Sequence, residues 1–310
     1  MSAAAQREVK PVSATEPQSA PRVRLLGVLG AGTMGAAIAH TAALHGLPAV
    51  CVDVSADILD RARHRIDGLM KGRIERGKFT EEERQAVWER LHFTTERDRL
   101  AEADFVIEAI IEDLGAKKAA FAELDRICRE GVVLATNSSS MSITEIATAT
   151  KRRDRVVGMH FFNPPQVMKL VEVVRGLETS DATVAEAKAL AERMGRVPVE
   201  VRKDTPGYIV NRILMPQFIE ALRLVEEGVA TPEEIDKAVT LGLNYPMGPF
   251  TLMDFTGNDV NHHVLEYFRQ EFGDPYYTPP HLLKSMVRAG RLGRKTGRGF
   301  YEYGDESRGG

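Results

Sequence analysis

The sequence predicts an α/β fold: a doubly wound, mostly parallel sheet followed by an all-helical C-terminal domain. Three observations carry this reading. A G-x-G-x-x-G string over residues 30–35 lies between a short apolar run and a helical run. Short apolar runs then alternate with amphipathic segments up to residue 203, the pattern of parallel strands joined by helical crossovers. After residue 203 no strand pattern appears, only helical periodicity.

The elements follow in order. Residues 23–29 read as a buried strand that runs into Gly30, Ala31, Gly32, Thr33, Met34 and Gly35, and residues 36–44 as the next helix. Gly30 suits the tight turn, Gly32 lets backbone approach a pyrophosphate, and Gly35 lets helix pack on strand. The helix N-terminus, with Thr33 and Met34 in its first turn, offers free N–H groups to phosphate. Residues 49–53 form a second strand ending in Asp53, 21 residues after Gly32. A carboxylate there accepts from the adenosine ribose hydroxyls and repels a 2′-phosphate, which favours NAD over NADP. The plainer role for Asp53 is a helix N-cap. Together these residues specify a dinucleotide-binding, Rossmann-type unit.

Residues 57–92 read as one helix or a helical pair interrupted at Gly72 and Gly77, with a basic surface that includes Arg61, Arg63, Arg65, Lys71, Arg73, Arg76 and Lys78. This is either a solvated face or a clamp for an anionic substrate handle. Strands follow at 104–110 and 132–136, with a helix at 115–129 between them. Glu112 and Lys117 come after the first of these strands, and Asn137 to Ser140 after the second, so all lie on the ligand-binding edge of the sheet. Residues 156–162 form another strand, 163–166 (Asn-Pro-Pro-Gln) break it, and 169–174 return. His160 and Glu172 are centred on that break, so a hairpin would set them opposite each other on one face. Neutral imidazole can take a hydroxyl proton near neutral pH, and a carboxylate on its other nitrogen fixes the tautomer. The alternative is a core histidine with a capping glutamate.

Residues 198–205 read as a final strand and linker, and the helices after it fall at about 207–228, 232–241, 249–271 and 279–290. Pro216 should kink or interrupt the first. Thr231 and Pro232 mark the start of the second. The expected division is a tail over 1–22, a nucleotide domain over 23–203 and a helical domain over 204–310, for which the resemblance given below implies substrate binding and dimerisation.

Composition excludes several function classes. Hydrophobic residues are 43% and charged residues 27%, ordinary globular values. A formal charge of −3 with no basic helical stripe gives no nucleic-acid signal. Cys51 and Cys128 have neither metal-ligand spacing nor a disulfide framework and read as reduced thiols in a cytoplasmic protein. No run is long and apolar enough to cross a membrane. Residues 1–22, rich in Ala, Ser, Pro and Gln, read as a disordered tail, with a targeting peptide as the rival reading.

Five blocks make a closer resemblance. They are His160–Pro164, Met168–Val173, Asp204–Arg212, Tyr245–Phe250 and Gly293–Tyr301. In order and register, they resemble the 3-hydroxyacyl-CoA dehydrogenase family, of the stand-alone 3-hydroxybutyryl-CoA type, over residues 23–303. The resemblance implies NAD as cofactor, His160 as general base with Glu172 as its partner, and Ser139 and Asn211 on the substrate oxygen or thioester. It implies Asp53 on the ribose, and Glu112, Lys117 and Asn163 on the nicotinamide side. It brings Lys295 back to the cofactor region, and it implies a homodimer through the helical domain. One departure stands out. Arg76 falls near a family lysine that contacts the coenzyme A handle, but Leu69 falls where the family has a serine. Three readings follow: oxidation of (3S)-3-hydroxyacyl-CoA, the same chemistry on an acyl carrier protein in a polyketide extender-unit pathway, and a non-catalytic NAD-binding structural protein.

Overall fold

The structure, a computed structural model, describes residues 23–304; the tail expected over residues 1–22 lies outside them. The chain first builds β1 (Leu26–Leu29), α1 (Thr33–Leu44), β2 (Ala49–Val52), α2 (Ala56–Glu75), α3 (Glu81–Arg90), β3 (Leu91–Thr94) and β4 (Phe105–Glu108). It continues with α4 (Leu114–Ile127), β5 (Val133–Thr136), α5 (Ile143–Ala147), β6 (Val156–Phe161), β7 (Leu170–Arg175), α6 (Asp181–Arg193) and β8 (Val197–Val201). Five helices complete it: α7 (Val210–Glu226), α8 (Pro232–Gly242), α9 (Pro249–Thr256), α10 (Asn258–Phe272) and α11 (His281–Arg288).

The eight strands form one sheet in the order β3-β2-β1-β4-β5-β6-β7-β8. Every pairing is parallel except β6 with β7. Chain order reverses at β1, which lies between β2 and β4, so the crevice for a ligand opens at the carboxyl ends of these strands. The central strands β1, β2, β4 and β5 are buried along their whole length, as a sheet covered on both faces requires. One apolar core joins the sheet to α1, α2 and α6, and another joins its opposite face to α4 and α5. A third core, built on Phe218, Ile219, Leu222, Phe250, Met253, Leu265 and Phe268, holds the helical part together.

Several elements differ from the sequence reading. The span 57–92 is two helices and the start of a strand. Thr80 caps α3 with a reciprocal box to Glu83, and β3 begins directly after Arg90. β3 (Leu-His-Phe-Thr) has four residues with alternate burial, too short to interrupt a helical pattern. α1 starts at Thr33, inside the glycine motif. The span 249–271 is broken at Gly257, whose φ of 101° ends α9 before α10 begins. Pro216 lies inside α7 without ending it. The ring removes one N–H, and the burial of Met215, Phe218, Ile219 and Leu222 around it offsets the loss. Helices α5 and α6 were not read from the sequence.

His40, on α1, is 3% exposed, and neither ring nitrogen has a partner. Burial, then the nearby Arg73 charge, lowers its pKa from 6.5 to about 4. The unfolded chain therefore takes up a proton there at a pH where the folded chain does not. Stability from this group is complete above pH 6.5 and is lost as pH falls toward 4, by about 3 kcal/mol in all. His40→Leu should narrow the gap in urea midpoint between pH 7 and pH 4.5. An equal gap in both proteins would rule out this linkage.

Candidate active site

The cofactor cradle begins at the end of β1. Gly30 has φ +104°, and a Cβ there would lie 2.6 Å from the Ala109 carbonyl oxygen. A Cβ on Gly35 would lie 1.9 Å from the Gly30 oxygen, so both positions require glycine. Above Gly32 the space is open, with nothing within 4 Å of a built Cβ. Helix α1 starts there with no side-chain cap and no acidic residue in its first turn. Its first N–H groups, at Thr33 and Met34, are thus left without a side-chain cap beside open space, which fits a dinucleotide pyrophosphate. Asp53 stands beside the loop and accepts from Ala31 N at 2.7 Å and Ser55 N at 3.4 Å. Ser55, not Asp53, is the N-cap residue of α2.

A buried polar cluster stands at the next strand end. Glu108 is fully buried at the end of β4. It accepts from Lys117 Nζ at 2.8 Å, Thr136 Oγ1 at 2.7 Å and Ile110 N at 2.7 Å. Such a charge is tolerable in the interior only with this degree of pairing. Lys117 also lies 3.3 Å from Glu112. The other oxygen of Glu112 accepts from Ser138 Oγ at 2.6 Å and from Ser139 N at 2.9 Å, with Ser139 Oγ at 3.4 Å. Glu112, Lys117 and Ser139 are thus one connected group. Sequence reasoning put Ser138 on the ligand-binding edge without giving it a role and missed Glu108; a lone glutamate in an apolar parallel strand was the available signal.

The antiparallel β6–β7 register places His160 opposite Glu172. His160 Nδ1 lies 2.8 Å from Glu172 Oε2, and both side chains are buried. The other Glu172 oxygen accepts from the backbone N–H groups of Ile209 at 3.0 Å and Val210 at 2.9 Å, where α7 begins. A carboxylate accepts and does not donate, so this contact suits the tautomer with its hydrogen on Nδ1 and a free lone pair on Nε2. Phe162 lies 4.5 Å from the imidazole centroid, and Tyr208 meets it edge-on at 5.6 Å. Tyr208 was also missed. Its φ is 52°, and its hydroxyl donates to the Met141 carbonyl at 3.1 Å, which holds the ring edge-on to the imidazole. Burial, and then Asp204 and Glu112, hold its phenol well above the ordinary range, so it stays neutral. Asn137 accepts from Phe161 N at 2.9 Å and ties the β5 loop to the histidine strand. Asn211 Nδ2 donates to the Ser139 carbonyl at 3.4 Å, joining α7 to the same loop.

Other expected site residues are not drawn into this network. Lys295 pairs with Asp259 at the start of α10. Arg76 is exposed at the C-terminal end of α2, with its guanidinium against Gly72. Asn163 follows β6 by two residues. The basic face of α2 is divided: Arg63 lies over Phe93 and pairs with Asp60, Lys71 pairs with Asp67, and Arg73 lies over Phe79. A surface cavity of about 560 Å³ on α10, lined by His263, Tyr267 and Arg269, contains none of the residues above. Among the described residues no group of His, Cys, Asp and Glu is arranged to hold a metal ion, and no helix is long and apolar enough to cross a membrane.

Comparison with known proteins places this geometry. The model for the 3-hydroxyacyl-CoA dehydrogenase NAD binding domain matches residues 25–205, and the model for the C-terminal domain of the same family matches residues 207–303. A probable 3-hydroxybutyryl-CoA dehydrogenase of Bacillus subtilis strain 168 is 46% identical over 285 residues, 92% of this chain and 99% of the relative. A 3-hydroxyadipyl-CoA dehydrogenase of Escherichia coli K12 is 44% identical over 91% of this chain and 59% of its own length. The crystal structure of (S)-3-hydroxybutyryl-CoA dehydrogenase from Ralstonia eutropha superposes with a TM-score of 0.88 at 44% identity, covering 92% of this chain and 100% of that one. Both domain models of one family match in sequence order, on a fold already shared with its solved members, and the chain therefore belongs to the NAD-dependent 3-hydroxyacyl-CoA dehydrogenases.

Proposed function

We propose that the chain catalyses reversible oxidation of (3S)-3-hydroxyacyl-CoA thioesters, 3-hydroxybutyryl-CoA among them, to the 3-oxoacyl-CoA, with His160 as general base. The observation that carries this is the buried His160–Glu172 pair, which leaves Nε2 basic and holds the ring in place. Nε2 takes the C3 hydroxyl proton as the alkoxide develops. Glu172 stabilises the imidazolium that forms, while its other oxygen accepts from the Ile209 and Val210 amides. Bound NAD supplies the acceptor for the hydride that leaves C3. Gly30, Gly32, Thr33, Met34, Gly35 and Asp53 would hold its adenosine and pyrophosphate, and Glu112, Lys117 and Asn163 its nicotinamide side. Ser139 and Asn211 would hold the substrate oxygen; the Asn211 Nδ2 contact with the Ser139 carbonyl at 3.4 Å supports their sharing one site. In this reading residues 23–203 bind the cofactor, and residues 204–310 complete the substrate site and pair two copies. Exposed Ile213, Val229, Leu241 and Leu243 support such pairing. The cytoplasm is the proposed compartment.

The CoA handle is supported by the names of the relatives, which are CoA-thioester dehydrogenases. A carrier-protein handle is favoured by Leu69, half-exposed on α2 where the family carries serine, and by the variant helices over 57–92. NADH oxidation with acetoacetyl-CoA, run beside the same acyl group on a carrier protein, should show the CoA thioester turning over faster. The reverse order would move the proposal to the carrier protein.

His160→Ala should lower kcat by about 100- to 10,000-fold while NADH binding, followed by fluorescence, stays near the parent value. Turnover close to the parent's would remove His160 from the chemistry. Glu172→Gln should lower kcat and also cost about 1–3 kcal/mol of unfolding free energy, because one carboxamide cannot accept from the imidazole and both amides equally well. A kcat loss with unchanged stability would separate the histidine contact from the junction with α7.

A further inference from the structure

We infer that Arg65 recognises the cofactor's pyrophosphate, reaching from α2 over the glycine-rich loop. This rests on NAD binding and not on the proton-transfer roles given above.

Arg65 Nη2 donates to the Gly32 carbonyl at 3.3 Å, across 33 residues of sequence. Gly32 is the N-cap of α1, and the same carbonyl already accepts from Ala36 N at 3.2 Å. The guanidinium therefore stands at the helix end where unpaired N–H groups and the positive end of the dipole collect. A cation is unfavourable there. One shared neutral acceptor does little to offset it, and among the described residues no carboxylate pairs with Arg65. Its neighbours Arg63, Lys71 and Arg84 each have one. The first turn of α1 has no acid and no side-chain cap to supply the missing negative charge.

An anion between the two satisfies both. The space for it is the opening over Gly32. The guanidinium keeps further N–H donors in the planar arrangement that suits two phosphate oxygens. The rim of the loop is then polarised. Asp53, held by Ala31 N, presents a carboxylate, which suits ribose hydroxyls and repels phosphate. Arg65, at Gly32, presents the cation. Of the basic residues on α2, Arg65 is the one with a hydrogen bond into the glycine motif, whereas Arg63 and Arg73 are turned onto Phe93 and Phe79.

The test compares wild type with Arg65→Gln and Arg65→Lys. NADH binding is read by fluorescence titration, and ADP and adenosine by displacement of NADH, at low and high salt. Arg65→Gln should weaken NADH and ADP by about tenfold and leave adenosine unchanged. The wild-type advantage should shrink with salt, and lysine should recover part of it at low ionic strength. KM for acetoacetyl-CoA at saturating NADH should stay at the parent value. Three results would each overturn the inference: equal losses for NADH, ADP and adenosine, which mark a structural pin; a loss confined to acetoacetyl-CoA, which marks a substrate-handle contact; or no change in any of them.

Discussion

The carboxylate of Glu172 is the point on which the site depends. It is fully buried in β7, and both oxygens are used: one toward His160 in the neighbouring strand, the other toward two backbone amides at the start of α7. An isolated carboxylate in that position would be expelled or neutralised. Three donors make the charge tolerable, and they come from two parts of the chain that share no sheet. The same group that orients the imidazole therefore also fixes where the helical part begins relative to the strands. The antiparallel pairing of β6 and β7, the one exception in an otherwise parallel sheet, creates this arrangement by setting residues 160 and 172 directly across from each other.

A second cluster, buried except at Glu112, repeats the principle one strand over. Glu108, Lys117, Glu112 and Thr136 satisfy one another at the carboxyl ends of β4 and β5, and Glu112 passes that order on to the amide and hydroxyl of Ser139. Asn211 then reaches from α7 to the Ser139 carbonyl. The loop after β5 is consequently held from the sheet side by carboxylates and from the helical side by an amide. Rigid placement of this kind is what a proton-transfer site needs, because small misplacements of reacting groups cost large factors in rate. The cofactor side is built differently. There the chain offers an uncapped helix start, an open position at Gly32 and few side-chain partners.

Much of the fold was legible because its signals are local. The glycine spacing, the apolar runs of β1, β2, β4, β5 and β6, and the Thr-Pro start of α8 each depend on residues a few positions apart. The 57–92 span misled because α3 and β3 adjoin without a turn residue between them, so helical periodicity runs into a four-residue strand. Pro216 does not interrupt α7: the rule against proline inside a helix concerns one hydrogen bond, and tertiary burial along α7 outweighs it. Gly257 was available as a break between α9 and α10, but a single glycine within a periodic pattern does not declare its φ.

The sequence by itself determined the doubly wound class, the dinucleotide cradle, the hairpin that could bring His160 to Glu172, and a family resemblance spread over five blocks. Those are properties of spacing and residue type, which a chain carries before it folds. Only the tertiary structure decided which polar groups are buried and who satisfies them. Glu108 finds Thr136 across 28 residues, Tyr208 reaches Met141 across 67, Glu172 takes the amides of Ile209 and Val210 across 37 and 38, and Arg65 reaches Gly32 across 33. Lys295, by contrast, is held by Asp259 within the helical part. The physical reason is common to all of these. The cost of burying a polar group depends on partners brought close by the fold, and distance along the chain carries no information about that proximity.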